Sequence, residues 1–208
     1  MHDPDLVALA IRIFADPAPA TPTDGAYVFG QTPDNEASVL DAACRLHAGG
    51  HTAAIFIAES PPRSGYPGDA DWRARLAERG VVDGVVRGVP TDEHPLLSTL
   101  SEAQSLVRFA RAAQLRAVHV VGAPFHHLRA AITTVSVVLR EHPALAVHCA
   151  PGAPLGWDAR ARHSQGILEA TRAELIGTEL QRIVRYTAKG DLVPAREVLA
   201  YLDARDRR

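Results

Sequence analysis

Short apolar runs alternate with amphipathic segments along most of this chain. The five runs share β-branched residues and flanking turn residues, and they cover 26–30, 52–59, 84–89, 116–124 and 145–152. The segments between them repeat apolar residues at helical spacing, and they cover 35–50, 69–80, 98–114 and 126–142. Strands that alternate with helices of this length form βαβ crossovers, which build a parallel sheet with helices on both faces. The pattern predicts an α/β fold, a Rossmann-like three-layer sandwich with a mainly parallel sheet of about five strands.

Both ends of the chain predict additional helices. Residues 5–15 form an amphipathic pattern that a Pro-rich stretch ends, and a long helical pattern runs from about His163 to Ala188. Pro194 is placed to begin a last short helix, because proline fits a first helical turn. A chain of 208 residues can bury one sizeable core without a second domain. We therefore expect a single domain over 1–208, divided into an N-terminal helix and linker at 1–25, a core at 26–160 and C-terminal helices at 161–208.

Charge and composition limit the classes of partner. The net charge is −2 and the pI is about 6.5, so no global basic field favours nucleic acid. No segment approaches the ~20 consecutive apolar residues of a membrane span, and the N-terminus lacks the basic start of a signal peptide. Cys44 and Cys149 are far apart and show no metal-type spacing, which is typical of two buried thiols in a reducing compartment. We expect a cytoplasmic protein whose partner is a small molecule, with neither nucleic acid nor membrane involved.

Polar residues capable of chemistry follow the predicted strands at one edge of the sheet. In open parallel sheets, ligands bind outside the carboxyl ends of the strands, where loops lead into helix N-termini. The candidate ligand-binding residues share this position, and they are Gly30, Gln31, Asn35, Glu36, Glu59, Ser98, Thr99, Pro124, Phe125, His126 and Arg129. The candidate catalytic residues are His126, Glu102 and Arg129.

The segment "GAPFHHLRA" predicts an anion-binding corner. His126 falls in the first turn of a helix, where free N–H groups and the helix dipole favour an anion. Arg129 follows three residues later on the same helix face and adds a planar, permanently charged fork. The alternative is that His126 only caps the helix and Arg129 pairs with a neighbouring acid. His127 points about 100° away around the helix and is expected to be structural.

Thr99 and Glu102 match the capping-box pattern T-x-x-E ahead of an apolar helical run. That local role alone accounts for the pair, and a second role in the site remains open. No second histidine pair supplies the ligands of a transition-metal site, so we assign no metal ligands. The alternative is a Mg²⁺ held by Asp34, Glu36 or Glu59 together with a substrate phosphate. The chain lacks G-x-G-x-x-G, G-x-x-x-x-G-K-[ST] and G-x-S-x-G, which leaves dinucleotide, P-loop and α/β-hydrolase functions without their motifs.

Four segments in order resemble the YdcF/SanA/ElyC-like family, a bacterial group of proteins. They are "FGQ", "STLSEAQSLVRFAR", "GAPFHHLRA" and "ELQRIVRYTAKGDLVPAREVLAYLDARD", and the resemblance covers roughly 26–206. It implies a Rossmann-like sandwich with site positions at Gly30, Ser98, Thr99, Glu102, His126 and Arg129. Without a membrane anchor the chain is most similar to the soluble YdcF-like members, which are associated with S-adenosylmethionine. One departure is Glu59-Ser60, where many members carry Gly-Gly, so a backbone cradle for phosphate is in doubt at that loop.

Three functions remain open at this point. The first is a small-molecule or nucleotide-binding protein, with S-adenosylmethionine as the best-motivated ligand. The second is an enzyme of phosphoryl-type transfer or hydrolysis in which His126 is the acid or base, Arg129 stabilises negative charge and Glu102 orients His126 or binds a cation. The third is a non-catalytic interaction module, with a possible homodimer through the long C-terminal helix.

Overall fold

The computed structural model describes residues 3–91, 96–163 and 166–207. The helices in this part of the chain are α1 (Pro4–Phe14), α2 (Pro33–Ala48), α3 (Asp69–Glu78), α4 (Thr99–Ala112), α5 (Pro124–Glu141), α6 (Arg172–Lys189) and α7 (Ala195–Asp206). The strands are β1 (Gly25–Val28), β2 (Ile55–Glu59), β3 (Val86–Pro90), β4 (Ala117–Gly122), β5 (Ala146–Pro151), β6 (Arg160–His163) and β7 (Leu168–Thr171). The five predicted strands and the four helices between them are all present.

The central sheet is parallel and has the strand order β3-β2-β1-β4-β5. β1 lies in the middle, with Ala26 opposite Ile55 of β2 on one side and His119 of β4 on the other. The chain therefore builds outward in one direction from β1 to β3, then returns to the other side of β1 with β4. A crevice opens at the carboxyl ends of β1 and β4, where this reversal occurs.

Helices cover both faces of the sheet, which confirms the Rossmann-like three-layer sandwich. One buried cluster joins apolar side chains of α1, α4, α5 and α7 to the face of β1 that carries Tyr27. The other joins α2 and α3 to the face that carries Ala26 and Val28. The apolar runs of β1 and β4 are buried on both sides, which is why they read as continuous rather than alternating.

The start of the first C-terminal helix differs from the prediction. The predicted start of this helix at about His163 was wrong. Arg160–His163 and Leu168–Thr171 pair there as an antiparallel hairpin. Side chains of the first hairpin strand alternate between exposed and buried, the period-two pattern of a strand. The helix begins at Arg172 because Thr171 and Glu174 form a capping box there.

The two terminal helices are held together at the β5 edge of the sheet. α1 packs against α7, and the Arg205 guanidinium bonds both carboxylate oxygens of Asp16, which directly follows α1. Arg12 extends this contact by bonding Asp203 and Asp206. We call this group of five residues the terminal clamp. Within the described residues, no helix has the length and apolar character needed to cross a membrane.

Candidate functional site

A polar cavity of about 210 Å³ opens at the carboxyl ends of β1 and β4, between the start of α4 and the inner side of α6. Its lining residues are Gly30, Gln31, Thr32, Ser64, Leu97, Ser98, Thr99, Glu102, His126, Arg129, His163, Arg182 and Tyr186. A second cavity of about 180 Å³ adjoins it and shares the residues Ser98, Thr99, Arg129 and Tyr186. Arg129 therefore lies between two spaces, one more polar and one bounded by Leu100 and Leu192.

Glu102 is a buried carboxyl group at the inner wall of the polar cavity. Its Oε1 accepts hydrogen bonds from the Gly30 N–H at 2.8 Å and from the Tyr27 hydroxyl at 3.1 Å. Burial raises the pKa of Glu102 to about 7, even though both hydrogen bonds and the charge of Arg129 favour the ionised form. Its Oε2 makes no hydrogen bond within the described chain and is not enclosed by protein, so it is open to the cavity. Near neutral pH this carboxyl can either give or take a proton.

The capping box at the start of α4 involves other residues than predicted. Ser98 is the N-cap, and its side chain accepts from the Ser101 N–H while the Ser101 side chain accepts from the Ser98 N–H. The assignment of the box to Thr99 and Glu102 was therefore wrong by one position. Because the serine pair caps the helix, the side chains of Thr99 and Glu102 are both available to the cavity.

His126 is buried, and both of its ring nitrogens are occupied by neighbouring side chains. The Gln31 amide lies 3.2 Å from Nδ1, and the Thr99 hydroxyl lies 3.0 Å from Nε2. Burial and the nearby Arg129 charge lower the pKa of His126 well below its usual value, so the ring is neutral. With the amide donating to Nδ1, the proton lies on Nε2 and Thr99 accepts it, which aims the Thr99 hydroxyl proton away from the ring.

Arg129 is fixed by an acid from a distant part of the chain. Its Nε donates to Oε2 of Glu179 at 2.5 Å, and this carboxylate also accepts from Arg182 at 2.8 Å and lies 3.0 Å from His163. Burial alone would raise the pKa of Glu179, but Arg129 and His163 hold it well below its usual range. Glu179 is thus a permanent anion with three partners, which we call the Glu179 cluster.

The terminal nitrogens of Arg129 are not used by the protein. Neither Nη1 nor Nη2 makes a hydrogen bond within the described residues, and neither is among the enclosed atoms that lack a partner. Solvent in the cavities therefore reaches both nitrogens. A guanidinium whose Nε is held and whose Nη edge is free presents two parallel donors of fixed direction.

Two backbone features lie at the cavity mouth, and the first of them supplies hydrogen-bond donors. The start of α4 leaves the N–H groups of Thr99 and Leu100 without partners in their own helix. Ser64 adopts a φ of 53°, a strained conformation for a residue with a side chain, and its Oγ accepts the Leu97 N–H at 3.0 Å. Ser64 also forms part of the cavity wall.

The cavity contains seven of the predicted site residues: Gly30, Gln31, Ser98, Thr99, Glu102, His126 and Arg129. It brings together the predicted catalytic residues but not in the predicted arrangement. Glu102 was expected to orient His126, whereas its carboxyl bonds Gly30 and Tyr27, and Gln31 and Thr99 orient the histidine. The difference arises because the Glu102 side chain reaches back to β1.

Three predicted ligand-binding residues have structural partners outside the cavity. Asn35 donates to the Arg162 carbonyl and accepts from Arg172, which ties α2 to the β6–β7 hairpin. Glu36 pairs with Trp72 and Arg75 of α3. The Glu59 carboxylate lies over Gly88 of the neighbouring strand, where a Cβ atom would come within 2.8 Å of it.

Pro124 and Phe125 also lie outside the polar cavity. Both line an apolar groove on the other side of the Glu179 cluster. The Phe125 ring meets the His163 ring edge-on at 5.1 Å, so it supports the cluster from behind rather than facing a ligand in the polar cavity.

The site also contains residues that the sequence reasoning missed. Glu179, Arg182 and Tyr186 come from α6, and His163 comes from the hairpin. One signal was present in the sequence: Leu175, Glu179 and Ile183 recur every four residues, so an acid occupies a core position of the helix.

Two of the three carboxylates considered for Mg²⁺, those of Asp34 and Glu36, bond residues outside the polar cavity. Asp34 accepts hydrogen bonds from the Arg162 backbone N–H and side chain, which joins α2 to the hairpin. Among the described residues, no group of three or more His, Cys, Asp or Glu side chains is arranged to hold a metal ion.

This chain matches no protein-family model, no curated protein and no solved structure. The resemblance to the YdcF-like proteins therefore stays a prediction. The function has to be argued from the geometry of the cavity.

Proposed function

We propose that this chain is a YdcF-like protein that binds a small anionic molecule at Arg129. The observation that carries the proposal is that the protein bonds only one of the three guanidinium nitrogens of Arg129 within the described residues. Its Nε is held by the buried Glu179, while Nη1 and Nη2 have no hydrogen-bond partner among the described residues and face a polar cavity. A phosphate or carboxylate offers two oxygens at the spacing of these two donors.

The charge of the site favours an anion as well. Arg129 and Arg182 carry two positive charges, and Glu179 supplies one negative charge. Glu102 has a pKa of about 7 and adds a second negative charge only when ionised, so the excess positive charge that favours an anion is greatest below pH 7. Free N–H groups at the start of α4 add further donors on the same side. Because Glu179 fixes Arg129 before the ligand arrives, little side-chain entropy is lost on binding.

S-adenosylmethionine is the ligand that the family resemblance suggests. Its carboxylate would bind Arg129, and its ammonium group would suit the Glu102 carboxyl in the same cavity. The two adjoining cavities of about 210 and 180 Å³ are each smaller than the ~300 Å³ at which drug-sized ligand sites begin. A molecule of this size would have to occupy both and pass Arg129, whereas inorganic phosphate needs only the polar one.

Isothermal titration with phosphate and with S-adenosylmethionine tests the proposal. Arg129→Lys keeps a positive charge beside Glu179 and removes the two-donor edge, so phosphate binding should weaken about tenfold or more, the cost of roughly one charge-assisted hydrogen bond. Arg87→Gln is the matched control, because Arg87 is exposed on β3 and should leave affinity unchanged.

Two results would reject the proposal. One is the absence of heat and of thermal stabilisation with either compound at millimolar concentration. The other is equal phosphate affinity in the wild type and Arg129→Lys. Binding of phosphate alone would keep the anion site and remove S-adenosylmethionine as its ligand.

A second candidate function is phosphoryl-type transfer or hydrolysis with Glu102, rather than His126, as acid or base. The observation favouring it is that Glu102 has a pKa of about 7 and an oxygen open to the cavity beside Arg129. The neutral His126, with both nitrogens engaged, would orient Thr99 instead.

Hydrolysis of p-nitrophenyl phosphate across pH 5 to 9 tests this candidate. We expect a rate that follows one ionisation near pH 7 in the wild type, and loss of that turnover in Glu102→Gln. A wild type without turnover, or an unchanged rate in Glu102→Gln, would reject catalysis and leave the binding proposal intact.

A further inference from the structure

We propose that two copies of this chain associate through the exposed apolar faces of α1 and α6, with the two α6 helices packed antiparallel around Leu180. This inference concerns the outer surface of α6 and does not depend on the anion-binding proposal. It follows from the positions of apolar residues on α1 and α6, because both helices expose large apolar side chains on the face turned away from the core.

The more hydrophobic face of α6 points outward. Its inner face carries Arg172, Leu175, Glu179 and Ile183, and two of these four are charged. Its outer face carries Ile176, Leu180 and Val184 at spacings of four residues, and they are 38%, 39% and 64% exposed. Ala173 and Gly177 extend the same uncharged stripe. A helix in a globular protein normally turns its apolar stripe to the core, so this one lacks a partner within the described chain.

α1 shows the same property beside it. Leu9 and Ile13 are buried, but Val7, Ile11 and Phe14 are exposed on the opposite side. A helix that is apolar on both sides is typical of a buried position. The charged Arg12 of this helix is turned toward α7, where Asp203 and Asp206 hold it.

An apolar groove of about 620 Å³ joins the two exposed faces into one surface. α1 contributes Ala10 and Phe14, α6 contributes Ile176 and Leu180, and the exposed Trp157 forms one end. Phe125 and Leu128 of α5 form the floor. The surface thus has a depression and a projecting stripe next to each other, which is the shape that a twofold axis can match with itself.

The exposed area fits a second copy. The seven large apolar side chains of this surface are Val7, Ile11, Phe14, Trp157, Ile176, Leu180 and Val184. Together they expose roughly 600 Å², the upper end of the ~300–600 Å² that the largest apolar patch on a typical monomer covers. A stable interface buries about 800 Å² on each partner, so this patch with a polar rim is of the required size.

The charges along α6 favour the antiparallel arrangement. Glu174 lies near the start of the helix, and Arg185 and Lys189 lie near its end. An antiparallel pair centred on Leu180 places Ile176 of one copy beside Val184 of the other. It also brings the end of α6 that carries Glu174 to the end of the partner helix that carries Arg185 and Lys189. A parallel pair would instead place like charges together.

Sedimentation velocity of the full chain tests the interface. We expect the wild type to be a dimer at micromolar concentrations and Val184→Glu to be a monomer with an unchanged circular dichroism spectrum. Val82→Glu is the matched control, because Val82 is 68% exposed near β3 at the opposite edge of the sheet and should not affect association. A wild type that remains monomeric at about 100 µM would overturn the proposal, as would a Val184→Glu variant that remains dimeric.

Crosslinking tests the arrangement of the two helices. Residue 180 lies at the proposed axis, so Leu180→Cys in a Cys44→Ser background should form a disulfide-linked dimer on mild oxidation. Val82→Cys in the same background should stay monomeric on a non-reducing gel. A dimer in solution whose Leu180→Cys variant does not crosslink would overturn the antiparallel arrangement.

Discussion

The fold contains two buried arginine–carboxylate groups that look alike and differ in one respect. In the terminal clamp, Arg205 donates through Nε to Asp206, through Nη1 to Asp16 and the Val147 carbonyl, and through Nη2 to both acids. Every nitrogen of that guanidinium is used. In the Glu179 cluster, Arg129 bonds the described part of the chain only through Nε, and its other two nitrogens face a cavity.

The difference separates a structural ion pair from a recognition site. A buried guanidinium costs several kcal/mol of desolvation, which the protein usually offsets by satisfying all its donors. The clamp meets that condition and leaves nothing for a ligand. The Glu179 cluster leaves two Arg129 nitrogens to solvent. A bound anion would accept hydrogen bonds from them, as the protein's own oxygens do for Arg205 in the terminal clamp.

The largest expected effect is the loss of the clamp acid. Asp16→Asn leaves Arg205 without its main counter-charge at a site where both side chains are almost fully enclosed. We expect a loss of about 3 kcal/mol in the free energy of unfolding, as for other broken buried pairs. Urea denaturation measures it.

Asp16→Asn also tests whether the terminal clamp and the Glu179 cluster act independently. Phosphate affinity measured on the folded Asp16→Asn protein should equal that of the wild type, because the clamp has no open donor. A folded variant that no longer binds phosphate would show that the two groups are not independent.

The next largest effect is a pH dependence of the free energy of unfolding, which arises from Glu102 in the polar cavity. Because burial raises the pKa of Glu102 from 4.5 to about 7, the folded chain keeps a proton there that the unfolded chain has already lost. Stability due to this group is therefore fully present below about pH 4.5 and falls as the pH rises to about 7.

Glu102→Gln mimics the protonated carboxyl and should remove this loss. The variant and the wild type should have similar stability at pH 4.5, and the variant should be more stable at pH 8 by up to about 3 kcal/mol, since one pKa unit corresponds to ~1.4 kcal/mol. Urea denaturation at both pH values measures the difference. Parallel pH profiles for the two proteins would contradict the placement of a titrating group in the cavity.

The smallest effect concerns the outer part of the clamp. Arg12, Asp203 and Asp206 are each about a third or more exposed, so water screens their interaction. Arg12→Gln should lower stability by less than about 1 kcal/mol, well below the effect of Asp16→Asn. A loss as large as that of Asp16→Asn would mean that the clamp acts as one unit rather than as a buried pair with an exposed edge.

The sheet and its order of elements could be predicted because each strand carries a local signal. The apolar run at 116–124, for example, became β4 over Ala117–Gly122 and was followed by α5 at Pro124. The hairpin at Arg160–Thr171 escaped prediction because its short alternating strands are polar, and "HSQ" and "ATRAEL" nearby also suit a helix.

The site could be predicted only in part, for a similar reason. Gly30, Thr99, Glu102, His126 and Arg129 follow strand ends, so a rule about sheet geometry finds them. Glu179 lies fifty positions after Arg129 along the chain, and nothing in the local sequence links the two. The face of α6 that carries Glu179 is also less apolar than the face with Leu180, so hydrophobic patterning alone would turn the helix the wrong way.

The terminal clamp has a consequence for the order in which the chain folds. The contact between Asp16 and Arg205 joins residues 189 positions apart, so it closes a loop of almost the whole chain. Contacts of such high sequence separation form late, because the entropy of loop closure must be overcome before they contribute. On the ribosome, α1 is made before α7 and has no α7 to dock against until the residues between the two helices have been made. We therefore expect the apolar α1 to stay exposed in a nascent chain for longer than the helices that pack against nearby segments.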